Sequence, residues 1–484
     1  MSHKNISESG LDEKRGLLET NIDINGSKEK SEKASIAKKS FGHKDNELGS
    51  KVGVFSAMLT IVGTIIGGGI VGIPFATLQT GIWLVLVVHT LNFIWGIYSV
   101  HLLLEAKDIS GLSSFSELGY YCFGRASIFI INSLIVLAQG GMPIVYFMIV
   151  GDIGNGLLEH FESIKGKFWS SRQFSILVVA VLLFYFAVKK EIQELKGAGF
   201  VLLCGVVLFI IAMVVLVIKE GTDKFEFGEV SKPKFSISML ANIPTLFVSY
   251  AFQSAFFPVF SSLETKTKAN GIKATAMSFT FCAVVYIVVS IVALLVYGND
   301  LSANVLENVS HMDGWIPIVV DIVFLIIIMM HIPIVLFVGK EALLIIIDEI
   351  MRKSYSVKPR VTVDDAYNLR DSVMRPEGAG DSEGKAYLSM NPILFYSVSV
   401  ILYCLIVTAA CLLSDITLVF GIIGSIAGSY LIFIGPSQFY IISVRNEKAN
   451  VSPLQYYIAH IYHIFGLIVM IACLFATIYT TVKD

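Results

Sequence analysis

Five glycines and a proline fall within twelve residues, Gly63, Gly67, Gly68, Gly69, Gly72 and Pro74 in GTIIGGGIVGIP, inside an apolar run at about residues 54–77. Each glycine costs a helix roughly 1 kcal/mol relative to alanine, so three in a row favour unwinding. Unwound backbone at membrane depth is tolerated where it lines a cavity or is buried in protein. The amide N–H groups it frees, at the positive end of a half-helix, can hold an anion such as a carboxylate. Gly63/Gly67 and Gly68/Gly72 also fit the small-xxx-small pattern of close helix packing, and this run alone does not decide between the two. A second stretch, Pro244 to Pro258, encloses Ser249, Tyr250, Gln253 and Ser254 among apolar residues. Neutral polar side chains there suit a pocket for a small polar solute, or hydrogen bonds between helices.

The elements that must position these residues are membrane helices. Hydrophobic residues make up 55% of the 484-residue chain and charged residues only 15%, against about 25% in soluble domains. Apolar runs recur at about 54–77, 80–104, 127–150, 174–188, 197–218, 236–257, 275–298, 315–338, 393–413, 416–442 and 456–480. Their lengths predict eleven spans, the fourth short and the eighth able to continue as helix into the following loop. The broken first and sixth runs stand five spans apart. That spacing predicts a 5+5 inverted repeat with an eleventh span appended.

Residues 1–50 are polar and nearly free of aromatics, which predicts a disordered tail ahead of a transporter domain at 51–484. Within the tail, Glu13, Leu17 and Leu18 fit an acidic dileucine signal for a sorting adaptor, although two leucines after a charged run are common by chance. Most of the 36 Lys and Arg fall in alternate loops. The positive-inside rule then predicts a cytosolic N-terminus, a cytosolic insertion at about 340–392, and a lumenal or extracellular C-terminus. Asn308 in Asn-Val-Ser is a glycosylation candidate on the outward side. The six cysteines lie in or beside apolar runs without metal-type spacing, and no disulfide framework, metal or other cofactor is expected. Neither a nucleophile–His pair nor paired carboxylates point to an enzyme, and nothing points to nucleic acid.

With the motifs taken in order, a family resemblance emerges. GTIIGGGIVGIPFA followed by Gly81 resembles the first helix of the amino acid/auxin permease family, with its G-x-G-I-L-x-L-P core. Phe115-Ser116-Glu117-Leu118-Gly119 with Cys122-Phe123-Gly124 is similar to the loop before that family's third helix. PTLFVSYAFQSAFFPVFSSLE resembles its sixth helix, HIPIVLFVGKEAL the end of its eighth, and DITLVFGIIGSIAGSYLIFIGPSQFYI its tenth. The resemblance runs from about Lys51 to Asp484. It implies an all-α integral membrane protein of LeuT type and secondary transport of amino acids across a lipid bilayer by alternating access. It implies substrate-binding positions at Thr64, Ile66, Gly67, Gly68, Gly69, Ser249, Tyr250 and Gln253. The glycines would receive the substrate carboxylate, while Ser249, Tyr250 and Gln253 would lie near its amino group and side chain. Gln253 stands where many animal members carry His, which leaves side-chain preference open.

Sodium-coupled members use a first-helix Asn and an eighth-helix Thr. By the same match, Gly63 and His331 stand at those positions, so two oxygen ligands for a hard cation are missing. His331 in the eighth span is a candidate for proton coupling, or a neutral imidazole bonded to a facing carbonyl. Asp321, about six residues from the outer end of that span, is a second candidate, or a carboxylate hydrated at the vestibule. His89, His101, His460 and His463 are expected as interfacial or packing residues. The leading expectation is a proton-coupled, sodium-independent transporter of a vacuolar or endolysosomal membrane. The alternatives are a sodium-coupled neutral amino acid symporter of the plasma membrane and a non-transporting amino acid sensor.

Overall fold

A long apolar segment can satisfy its own backbone polar groups only by coiling into a helix, and this chain does so along most of its described residues. The computed structural model describes residues 51–159, 165–190, 198–312, 314–353 and 386–483. The first two helices are α1 (Val54–Ile65) and α2 (Gly69–Thr80), bent by 69° across the three residues between them. Then come α3 (Ile82–Ser110), α4 (Phe115–Phe123), α5 (Arg125–Ile135), α6 (Gly141–Glu159), α7 (Arg172–Val188), α8 (Ala198–Glu220) and the short α9 (Phe227–Val230). The sixth apolar run folds as α10 (Ile237–Val248) and α11 (Phe256–Ser262). They are followed by α12 (Lys268–Tyr297), α13 (Val305–Ser310) and α14 (Trp315–Arg352). The chain ends with α15 (Pro392–Leu412), α16 (Ile416–Ile423), α17 (Gly435–Glu447) and α18 (Pro453–Lys483). Among the described residues the only β-pairing is an isolated bridge.

Nine helical stretches of the described chain are long and apolar enough to cross a membrane, and the bent α1–α2 pair makes a tenth. The 17-residue α7 is apolar but shorter. Each apolar run seen in the sequence coincides with one of these elements. Their outer faces carry large bare hydrophobics such as Val181, Ile218 and Leu412, as a lipid-facing surface requires. Side-chain oxygens start the helices where the chain re-enters: Ser171 accepts from Phe174 N, Thr267 from Asn270 N, and Asp415 from Thr417 N. Gly81 joins α2 to α3 at φ +86°, with the Lys232 carbonyl 2.0 Å from where a Cβ would stand.

The π-helical turns were not visible in the hydropathy pattern. Val136–Gly140 between α5 and α6 is a π-helical turn, as are Gly424–Gly428 and Tyr430–Ile434 between α16 and α17. These turns sit where helices approach closely. A Cβ on Gly424 would lie 2.1 Å from the Pro244 carbonyl oxygen, and one on Gly339 would lie 2.8 Å from the Gly140 amide nitrogen.

The segment expected as an insertion at 340–392 begins as helix, because α14 runs on to Arg352. Its extension is held by polar contacts. Lys340 Nζ is buried and donates to the carbonyls of Ala187 (2.9 Å) and Lys189 (2.5 Å) at the end of α7. Arg125 at the start of α5 pairs with buried Glu349 at 2.7 Å. Arg352 binds Asp348 and the Ser389 carbonyl, which ties the 3₁₀ turn Ala386–Ser389 to α14. At the opposite ends of the broken elements, Val52 N donates to Ser262 O (2.9 Å) and Glu264 N to Val52 O (3.0 Å). The start of α1 and the end of α11 are thus paired backbone to backbone.

Candidate functional site

The two interrupted runs come together at their breaks. In the first, Ile66 leaves the helix with ψ 108° and Gly68 caps α2. Among the described residues, the amides of Gly67, Gly68 and Gly69 meet no backbone carbonyl. They lie at the positive end of α2, where an anion is favoured. In the second, the helix stops at Ser249, and Tyr250, Ala251 and Phe252 lead into a 3₁₀ turn at Gln253–Ala255. Four half-helix ends therefore meet: the C-termini of α1 and α10 and the N-terminal ends of α2 and α11.

Side chains cover the glycine segment closely, which explains why glycine is required there. A Cβ on Gly67 would lie 2.3 Å from the Tyr146 hydroxyl and 2.7 Å from His331 Cε1. One on Gly68 would lie 2.3 Å from the Tyr146 ring, and one on Gly69 would lie 2.2 Å from Ser249 Oγ. Gly69 and Ser249 are thus the point where the first break touches the second. The hydroxyl of Ser249 is turned back onto Thr245 O at 2.6 Å. Gln253 is fully buried, and its Oε1 accepts from Phe252 N at 3.0 Å while its Nε2 has no partner. Thr64 bonds back to Thr60 O at 2.9 Å, one turn before the break, and buried Ile66 forms the kink itself.

The proton candidates fall at different depths on α14. His331 packs over Gly67 beside Tyr146, with ring centroids 5.4 Å apart, and its Nδ1 has no partner. Asp321 stands ten residues earlier, about 15 Å along the helix. It is only 1% exposed, with Oδ1 unpartnered, so the expected hydrated vestibule position does not hold. α14 and its neighbours bury a side chain that its place near the end of the span made look peripheral.

Several residues at the site carried no signal in the sequence. His89, expected as an interfacial or packing residue, is buried on α3 and shares a 2.9 Å hydrogen bond with the Tyr250 hydroxyl. Tyr286 on α12 donates to Ser249 O at 2.9 Å and to Ile65 O at 3.3 Å. Ser425 and Ser429 are buried with unpartnered hydroxyls in or beside the π-helical turn that packs on α10, a local geometry common at functional sites. Away from the breaks, Asp152 on α6 pairs with Arg172 at 2.9 Å and accepts from Asn304 at 2.9 Å. Asn308 is engaged at both ends of its amide, by Asp300 O and Ser302 N. Glu13, Leu17 and Leu18 lie outside the described residues. No group of three or more metal-type ligands occurs among the described residues.

Comparison with known proteins gives this geometry a context. In structure the chain is similar to MhsT, solved in complex with L-phenylalanine, with a TM-score of 0.52 and 14% sequence identity over 89% of this chain and all of that one. This likeness shows the fold, the LeuT-type arrangement. In sequence it is 23% identical over 269 residues to amino acid transporter AVT6E of Arabidopsis thaliana, covering 53% of this chain and 54% of that protein. The chain therefore spans about half the length of that relative. It is also 22% identical over 433 residues to sodium-coupled neutral amino acid symporter 2 of Danio rerio, covering 84% of this chain and 78% of that protein. The family described as transmembrane amino acid transporter protein matches residues 50–479. A match of that extent, over a helix broken at Gly67–Gly69 and another broken at Ser249–Phe252, makes this chain a multi-pass membrane protein of the transmembrane amino acid transporter family.

Proposed function

We propose that this protein moves an amino acid across a membrane by alternating access, holding it between the two breaks. The observation that carries this reading is the meeting of both breaks at Gly69 and Ser249, with amides that meet no backbone carbonyl among the described residues on one side and Tyr250 and Gln253 on the other. The carboxylate would lie on the amides of Gly67, Gly68 and Gly69 at the N-terminal end of α2. Thr64 and Ile66 shape the approach, and Ser249, Tyr250 and Gln253 receive the amino group and side chain. Transport is proton-coupled and sodium-independent in this reading. Gly63 and His331 replace an oxygen ligand each, and His331 and Asp321 are the proton-carrying candidates.

The protein would reside in a vacuolar or endolysosomal membrane with its tail, bearing Glu13, Leu17 and Leu18, in the cytosol, and Asn308 on the glycosylated side. The eleven elements would form a 5+5 repeat with one appended helix. The likeness to a sodium-coupled symporter of Danio rerio favours a second reading, sodium coupling. Uptake of radiolabelled amino acids into proteoliposomes, with sodium and pH varied independently, separates them. Uptake driven by a pH gradient in sodium-free buffer is expected; an absolute need for sodium would replace the proton reading with the second.

A further inference from the structure

Two of the four half-helix ends that meet at the breaks are C-termini. Ile65 is the last residue of α1 and Ser249 caps α10, so both present carbonyl oxygens at the negative ends of their helix dipoles. Carbonyl ends brought together in a membrane interior need a shared positive partner, either a cation or a strong hydrogen-bond donor. Here one side chain reaches both: the Tyr286 hydroxyl, 2.9 Å from Ser249 O and 3.3 Å from Ile65 O.

We propose that the Tyr286 hydroxyl occupies the place of a monovalent cation between the two breaks, and that Tyr286 is the positioning residue that holds α1 and α10 in register for substrate. This deepens the transport reading above and rests on it. A phenol has one proton to give, and two acceptors at these distances share it as a three-centre bond. The ring cannot easily leave, because it is fully buried. It sits edge-on to Tyr250, with centroids 5.3 Å apart, and 6.4 Å from His89. Tyr250 is in turn stacked on Phe279 at 5.2 Å and bonded to His89. The donor is thus built into the scaffold of α12 and α3 instead of being drawn from solution. A transporter so built needs no metal ion to bring its two carbonyl ends together. Removing the hydroxyl and its ring should expose a cation position that the natural protein keeps filled.

The test compares wild type, Tyr286→Phe and Tyr286→Ser in proteoliposomes. Uptake of a ¹⁴C-labelled amino acid mixture is measured in choline, lithium, sodium and potassium chloride at fixed pH. Wild-type uptake should be indifferent to the cation. Tyr286→Phe keeps the ring but orphans both carbonyls, so KM should rise about ten-fold in every salt. Tyr286→Ser clears the space, so uptake should fall in choline and recover about five-fold or more in sodium or lithium. A merely structural defect would not respond to the choice of cation. The proposal is overturned if Tyr286→Phe keeps the wild-type KM, if Tyr286→Ser responds to none of the cations, or if wild type itself requires one. If wild type shows no uptake under any gradient, the transport reading fails instead. Cation dependence of ¹⁴C amino acid binding to the same three proteins in detergent then judges Tyr286 by the same criteria.

Discussion

At the scale of single residues, the glycines are where the sequence points most directly to a break, although Gly63/Gly67 and Gly68/Gly72 fit close packing as well. Three consecutive residues without a Cβ inside a membrane-length run have few physical explanations, and close cover by Tyr146, His331 and Ser249 is the one realised. Their covering partners were hidden, because a tyrosine in an apolar run reads as core or as a lipid-facing ring. Tyr146, Tyr286 and His89 gain meaning only from what faces them. Gly68→Val would drive a branched side chain into the Tyr146 ring, and amino acid uptake should drop roughly ten-fold or more while the protein remains monodisperse in detergent. Unchanged uptake would separate the glycine segment from the substrate path. For His331, replacement by glutamine keeps a polar side chain but removes the titration. His331→Gln should flatten any dependence of uptake on pH, with uptake at neutral pH kept within about three-fold. A variant whose pH profile overlays that of wild type would take His331 out of coupling.

At the scale of elements, length and hydropathy located every span-length helix among the described residues, because a bilayer sets the length of what crosses it, but not the short α4, α9 and α13. They could not locate the π-helical turns, which arise from how neighbouring backbones fit. Gly424 belongs to such a turn, and its contact is with a backbone carbonyl that cannot rotate away. Gly424→Ala should therefore destabilise the protein by about 1–3 kcal/mol, seen as a lower melting temperature in detergent, whereas Gly228→Ala, which meets nothing within 4 Å, should not. The continuation of α14 to Arg352 was legible as a possibility from its apolar periodicity. What secures it, the Lys340 ammonium on the carbonyls at the end of α7, was not. Lys340→Met removes both of these bonds and should cost about 1–3 kcal/mol by the same assay. A melting temperature equal to wild type would mean that α7 ends unaided.

At the scale of the whole molecule, the pattern of Lys and Arg predicts which side of the membrane each end of the chain occupies. An epitope on residue 1 should be digested by protease added to the cytosolic face of sealed vesicles, and one on the last residue should survive until detergent is added. The opposite pattern would reverse the direction of every gradient in the uptake assay. The paired backbones of Val52, Ser262 and Glu264 bear on how such a molecule opens. Two strands of chain from different thirds of the sequence are stitched at one face, and the stitch involves no side chain that substitution could remove. Neither α1 nor α11 can peel away there alone without surrendering two bonds. Under the alternating access proposed above, α1 and α11 would swing at this face as a double leaf, because the two bonds that steady one also tie it to the other.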